Sequence, residues 1–278
     1  MMKWCAYCQH YIGEKPPYTN FEVTHGICDD CCALRRHKDL AHISMIRPIV
    51  EFYKDLRDKA QSGTFIDLEG TISRSKELGI RPLDMAIGIL QPSLNEIGKL
   101  FAAGTVTIAH EHAFTNSVDR MISQLFALTP AMKICQANPP LVVLSCVDGN
   151  YHWLGLRLLE LALLGEGVST RVFIPSLPGN EIIAQTIHLQ PKVLGLSICS
   201  PTQIPEVEVI GHEIRATFSA PALPQIAVGG YGVHAFLDAK GTEQHEEKGL
   251  AYFRQSLDFV AFIRKTLQGQ NAPNGAQP

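Results

Sequence analysis

The chain has 278 residues, 46% of them hydrophobic and 18% charged, with a formal net charge of −3. That length accommodates two or three domains with sizeable cores, and the charge balance argues against a strongly basic nucleic-acid-binding surface. No apolar run follows Lys3-Trp4-Cys5, and the richest apolar stretch, Leu154 to Leu164, contains Arg157 and Glu160, so neither a signal peptide nor a membrane span is expected.

Residues 1–33 are rich in Cys, Tyr and Pro and show no periodicity. Eight cysteines without a secretion signal point to a reducing cytoplasm, where paired cysteines hold metal more often than they form disulfides. Cys5-x-x-Cys8 and Cys28-x-x-Cys31 are separated by nineteen residues, Gln9 to Ile27. Four thiolates in two such pairs can close a tetrahedral zinc site, with His25 or Cys32 as alternative ligands. So short a segment holds no core unaided, so metal binding supplies its folding energy. A set of redox thiols is the lesser reading, because no catalytic partner is evident. The pattern through His25, Gly26 and Cys28 also resembles small Cys-rich modules attached to bacterial signalling proteins. The basic run Arg35-Arg36-His37-Lys38 reads as a solvated helix start, with nucleic acid or an acidic partner as the alternative.

Residues 40–130 carry helical periodicity. Pro92 suits the first turn of a helix, on which Leu94, Ile97 and Phe101 share one face. Gly104 ends that pattern, and Val106 to Leu128 reads as the next helix. There Glu111, Thr115, Val118, Ile122 and Leu125 lie close to one face, and a carboxylate among apolar groups needs a partner. His112 stands about 100° around the helix from Glu111. Phe101, nine residues, then Glu111-His112, with Gln91-Pro92 and Thr107-Ile108 nearby, resembles the four-helix cap of cobalamin-dependent photoreceptor regulators. That family has Trp where Phe101 stands. The resemblance implies that Phe101, Glu111 and His112 pack over the upper face of adenosylcobalamin.

After a linker at Asn138-Pro139-Pro140, residues 138–268 alternate short apolar runs with amphipathic stretches, the βα pattern. Strands are expected at Leu141–Leu144, Val168–Ile174, Val193–Ile198 and Ile226–Val228. Gly241 to Lys248 is polar, and the last strand is not evident there. Residues 269–278 are expected to be a disordered tail. Ligands of open α/β sheets bind at the carboxyl ends of the strands, and three such ends offer a histidine, a serine and bare backbone.

Those three points have a characteristic spacing. Asp148 and Asn150 precede His152, and Gly155 follows it; forty-one residues, Leu156 to Leu196, then lead to Ser197 and Cys199, and twenty-nine more to Gly229-Gly230. This resembles the fingerprint of cobalamin (vitamin B12) binding domains: acid-x-His-x-x-Gly, then Ser-x-Leu, then Gly-Gly. Asn150 stands in the acid's place and Cys199 in that of the Leu. The resemblance implies that His152 ligates cobalt from below, that Asn150 or Asp148 orients its ring, and that the glycines let the nucleotide tail pass close to the backbone.

The expected fold class is therefore α/β: a Rossmann-like doubly wound cobalamin-binding domain, preceded by a four-helix bundle and a small zinc-binding module. The expected function is a cobalamin-binding, light-responsive regulator, with a corrinoid methyl carrier of a methyltransferase system, or a haem-binding sensor, as alternatives. No nucleophile or acid–base pair suggests an enzyme. The expected partner is a protein or a transcription regulator. No helix-turn-helix pattern stands ahead of the bundle, so direct DNA binding is left open, as is self-association into a homo-oligomer.

Overall fold

The computed structural model describes residues 1–34, 46–129, 139–219 and 222–269. The basic run 35–38, Asn138 of the expected linker, and tail residues 270–278 lie outside the described residues. The chain divides into two compact units, Met1–Thr129 and Pro130–Pro278.

The first unit begins with a small sheet that the apolar pattern did not announce. Strand β1 (Met2–Cys5) lies between β2 (Tyr11–Glu14), antiparallel to it, and β3 (Val23–Gly26), parallel to it. The central strand buries Met2, Trp4 and Cys5. A short helix α1 (Asp29–Ala33) follows, its N-cap made by Cys28. Four helical segments come next: α2 (Arg47–Ser62), α3 (Leu68–Glu77), a π-helical segment Asp84–Leu90 running directly into α4 (Gln91–Ala102), and α5 (Ile108–Leu128). Phe52 and Leu56 of α2, Ile72 of α3, Ile97 of α4 and Phe114, Val118, Met121 and Ile122 of α5 form its interior.

Pro92 stands in the first turn of α4, as its sequence context suggests, but the helical backbone already reaches it from Asp84. Proline cannot donate to the carbonyl four residues back, and its ring crowds that carbonyl. The turn before it is wider: Gln91 N–H donates to Ala86 O, five residues back. On this widened turn the cysteine-bearing sheet is seated. A Cβ on Gly88 would fall 2.8 Å from the Tyr11 ring and 2.9 Å from that of Trp4. Asp84, fully buried, accepts the Tyr11 amide at 3.1 Å and a two-pronged Arg81 guanidinium at 2.6 and 2.8 Å. The ion pair and backbone donor compensate the carboxylate's lost hydration.

The second unit is a six-stranded sheet of order β5-β4-β6-β7-β9-β8, parallel except at β8. Its strands are β4 (Val142–Val147), β5 (Thr170–Leu177), β6 (Val193–Ser197), β7 (Gln225–Gly229), β8 (Gln244–Glu247) and β9 (Leu250–Phe253). Helices α6 (Leu154–Gly165), α7 (Gly179–Leu189), α8 (Ile204–Thr217), α9 (Gly232–Lys240) and α10 (Ser256–Gly269) connect or follow them. This is the doubly wound arrangement expected, with β5 starting two residues after Val168. The polar stretch 241–248 contains the antiparallel edge strand β8, whose side chains need no buried face. The strand order reverses between β4 and β6, which opens a crevice at their carboxyl ends.

Two glycine substitutions test the seating of the sheet. Gly88→Ala should cost about 1–3 kcal/mol by overpacking. Gly98→Ala, also in this helical stretch but with open space around the new methyl, should be neutral or stabilise by up to about 1 kcal/mol. Denaturant unfolding of both variants checks this; equal midpoints would contradict the close approach.

Candidate functional site

The three marked segments arrive at one edge of the second unit. Parallel pairing sets Cys146 opposite Ser197, and Ser197 opposite Gly229. His152 lies just beyond β4, in the loop before α6, and is exposed. Among the described residues no hydrogen bond to its ring is recorded.

The loop that carries His152 is tightly held. Asn150 is fully buried. Its Oδ1 accepts the His152 backbone N–H at 2.9 Å, and its Nδ2 donates to Ser197 O at 2.8 Å and to Ser197 Oγ at 3.2 Å. Asn150 therefore fixes the backbone of the loop that carries the imidazole. Asp148 Oδ1 accepts from Gly149 N and Ser176 Oγ, both at 3.0 Å. Ser176, at φ +32°, also donates its own amide to Asn150 O at 3.1 Å.

Gln203 completes the frame from the β6 side. Its Nε2 donates to Asp148 O at 2.6 Å, while its Oε1 accepts Cys199 N at 2.8 Å, Ser200 N at 3.2 Å and the Cys199 thiol at 3.4 Å. Sequence reasoning missed Gln203 and Ser176. A signal for Gln203 was present, because Ser200-Pro201-x-Gln203 is a capping box. Cys146, nearby and buried, has its thiol pushed up to about 12 by burial and by Cys199, so it stays protonated.

The glycines differ in role. A Cβ on Gly230 (φ +96°) would lie 2.4 Å from Ile198 O and 3.0 Å from Ser197 Oγ, so the chain itself demands glycine there. Gly229 has only Phe253 O near it, at 3.9 Å, and nothing in the protein lies within 4 Å of a Cβ on Gly155. Neither position needs glycine for internal packing. An exposed imidazole, a backbone left open at Gly155 and a preformed loop thus stand together at the topological switch point.

In the first unit, Phe101 at the end of α4 is 43% exposed. Thr107 caps α5, and Glu111 on its first turn accepts from Thr115 Oγ1 at 2.8 Å and pairs with His112 Nδ1 at 2.6 Å. The carboxylate thus has the partners its position requires. The His110 ring packs over Gly63, where a Cβ would come within 2.5 Å of it, which brings the α2–α3 turn to the start of α5. Phe65 of that turn is 83% exposed and Ile108 is also exposed. Phe65, lying outside any motif, was not anticipated.

Cys5, Cys8, Cys28 and Cys31 converge, with their sulfurs all within 4.8 Å of one another. Exposed His25 and Cys32 are not in this set. Cys8 and Cys28 Sγ are 3.6 Å apart, against about 3.8 Å for two sulfurs bound tetrahedrally to one zinc at 2.3 Å. Burial raises the Cys5 thiol, but amides of Cys8, Cys28 and Tyr7 bring it down to about 7, whereas burial pushes Cys31 up to about 11. The donor set fits a soft divalent metal.

Residues 55–125, within the helical unit, match the family model described as a B12 binding domain. The chain is 26% identical over 189 residues to the HTH-type transcriptional repressor CarA of Myxococcus xanthus, covering 67% of this chain and 59% of that protein. It is 27% identical over 116 residues to the repressor CarH of the same organism, covering 42% and 37% respectively. This chain thus spans less than two thirds of either relative. A monomethylamine corrinoid protein of Methanosarcina barkeri has a similar fold, with a TM-score of 0.57 and 15% identity over 77% of this chain and 98% of that one. No described helix is long and apolar enough to cross a membrane.

Two measurements check these sites. Asn150→Asp keeps the shape but sets a carboxylate oxygen against the Ser197 carbonyl; it should cost roughly 2 kcal/mol at neutral pH, and an unchanged urea midpoint would contradict the bridge. The purified protein should carry about one metal per chain, as one four-ligand site implies. Replacing Cys5 and Cys31 by Ser should remove it and raise hydrogen exchange through the first thirty or so residues; metal retained by that variant would contradict the cluster.

Proposed function

We propose that this chain is a cobalamin-binding regulatory protein, responsive to light through adenosylcobalamin and signalling through a protein partner in the cytoplasm. The observation that carries the reading is the exposed His152 imidazole, with no ring hydrogen bond among the described residues, on a loop whose backbone is held by Asn150, Ser176 and Gln203. Such a ring is available to a metal, and its neutral form is the ligating one. The B12 binding domain match and the repressor relatives support the same cofactor and a regulatory output. Their partial coverage keeps the output within the proposal.

Cobalamin supplies a cobalt with an exchangeable lower ligand and, in its adenosyl form, an upper carbon bond that light can break. The chain's part is to bind and orient. His152 offers the lower nitrogen, Gly155 and Gly229 leave the backbone accessible, and Ser197 and Cys199 form the wall beside them. In the other unit, Phe101, Glu111 and His112 offer an aromatic face and a paired carboxylate and imidazole for the upper side. In the N-terminal module, Cys5, Cys8, Cys28 and Cys31 hold zinc as a structural ion, so that the small sheet keeps its seat on the π-helical turn.

Absorption spectra with added cobalamins, in darkness and after light, test this. Adenosylcobalamin should bind with the red spectrum of nitrogen ligation, and His152→Ala should bind it more weakly and lose that contribution. Illumination should change the spectrum together with the protein's size or hydrogen-exchange pattern. An unchanged spectrum and affinity in His152→Ala would overturn the ligand. Photolysis without any change in the protein would overturn the photoswitch, and acceptance of a methyl group from a methyltransferase would favour the carrier.

A further inference from the structure

We propose that Gln203 is the positioning residue of the cobalt-ligating loop: its amide staples the His152 loop to the β6–α8 turn across the topological switch point. The inference rests on the cobalamin reading of His152 and adds a residue that lies fifty-one positions away from it and outside the fingerprint. The side-chain amide is used at both ends. Oε1 accepts two backbone N–H groups, those of Cys199 and Ser200, and Nε2 donates to a backbone carbonyl, that of Asp148. Donors on one end and an acceptor on the other leave only one orientation of the amide. Ser200 and Gln203 also close a capping box, which fixes Gln203 to the turn that opens α8.

Its target decides its role. Asp148 begins the loop that ends in His152, and Asn150 between them binds the His152 amide. Asn150 holds the middle of the loop to Ser197, and Gln203 holds its start to the segment two residues further on. With both staples closed, the loop cannot pivot about Asn150, and the height of His152 above the sheet is set. Among the described residues no carboxylate bonds the ring, so ligation depends on where the backbone puts the imidazole. Outer residues that orient a metal ligand commonly matter by 10–100-fold in affinity. Gln203 touches no cofactor in this account; it acts through the loop.

Gln203→Glu separates positioning from turn structure. The carboxylate still accepts from Cys199 and Ser200, so the turn keeps its cap. Its second oxygen faces the Asp148 carbonyl and repels it, so the staple to the loop opens. Gln203→Ala removes both halves. The full-length variants are titrated with adenosylcobalamin and hydroxocobalamin, following the red, histidine-ligated fraction and the Kd. Exchange of segment 148–153 is measured in the cofactor-free protein. Gln203→Glu should weaken binding by about 10-fold or more, lower the histidine-ligated fraction, and speed exchange of that segment. Its thermal midpoint should stay close to that of the unmodified protein. Gln203→Ala should do the same with some loss of stability. If Gln203→Glu keeps the affinity, ligated fraction and exchange of the unmodified protein, Gln203 serves only the turn and the inference is wrong. The cofactor reading fails separately: the unmodified protein then gives no His152-dependent spectrum, and the positioning role falls with it.

Discussion

Much of the second unit's chemistry depends on one buried amide. Asn150 lies in the crevice between β4 and β6 with no exposed surface, and an amide so placed must satisfy its donors and acceptor within the protein. It does so by joining two strand ends: the Ser197 carbonyl and hydroxyl on one side, and the His152 amide on the other. The loop after β4 therefore has little freedom, and His152 is carried outward on a backbone pinned from β5 by Ser176 and from the β6–α8 turn by Gln203. A preformed loop lowers the ordering cost of taking a ligand.

An acid at position 150 would donate nothing to the Ser197 carbonyl. Asparagine there exchanges control of the ring's electronics for control of the loop's position. On the cobalamin reading, the lower ligand is an imidazole placed by the geometry of its loop. The other unit has its own constraint. Asp84 gathers the Tyr11 amide and the Arg81 guanidinium, and the four-cysteine sheet rests on the widened turn that precedes Pro92. The metal-binding module thus packs directly on the π-helical segment that runs into the helix ending in Phe101.

Much of this was legible in the residues. Apolar runs located β4, β6 and β7, because strands covered on both faces are written as continuous Val, Ile and Leu, and the shorter run Val172-Phe173-Ile174 located the edge strand β5. The spacing of His152, Ser197 and Gly229 pointed to one sheet edge, and parallel register puts them there. What escaped has physical reasons. The edge strand β8 faces solvent and is polar, so it carries no apolar signal. Pro92 has the same local appearance at a helix start as after a π turn. The first sheet is stitched by backbone bonds and by its seat on Gly88, neither of which has a periodicity. Asn150 was read as a substitute for an acid, but whether an amide faces a ring or a backbone is a matter of tertiary geometry. Gln203 had a local capping signature and no hint that its other end would reach Asp148.

The central claim is that His152, positioned by this frame, supplies the nitrogen beneath cobalt. Paramagnetic resonance of the protein loaded with reduced, Co(II) cobalamin tests it most directly, comparing protein grown with ordinary and with nitrogen-15 histidine. The account predicts that the nitrogen splitting of the cobalt lines changes from triplets to doublets with the labelled histidine, and that His152→Ala abolishes the effect of the label. Triplets that persist with labelled histidine would assign the lower nitrogen to the cofactor's own base, and would contradict the account.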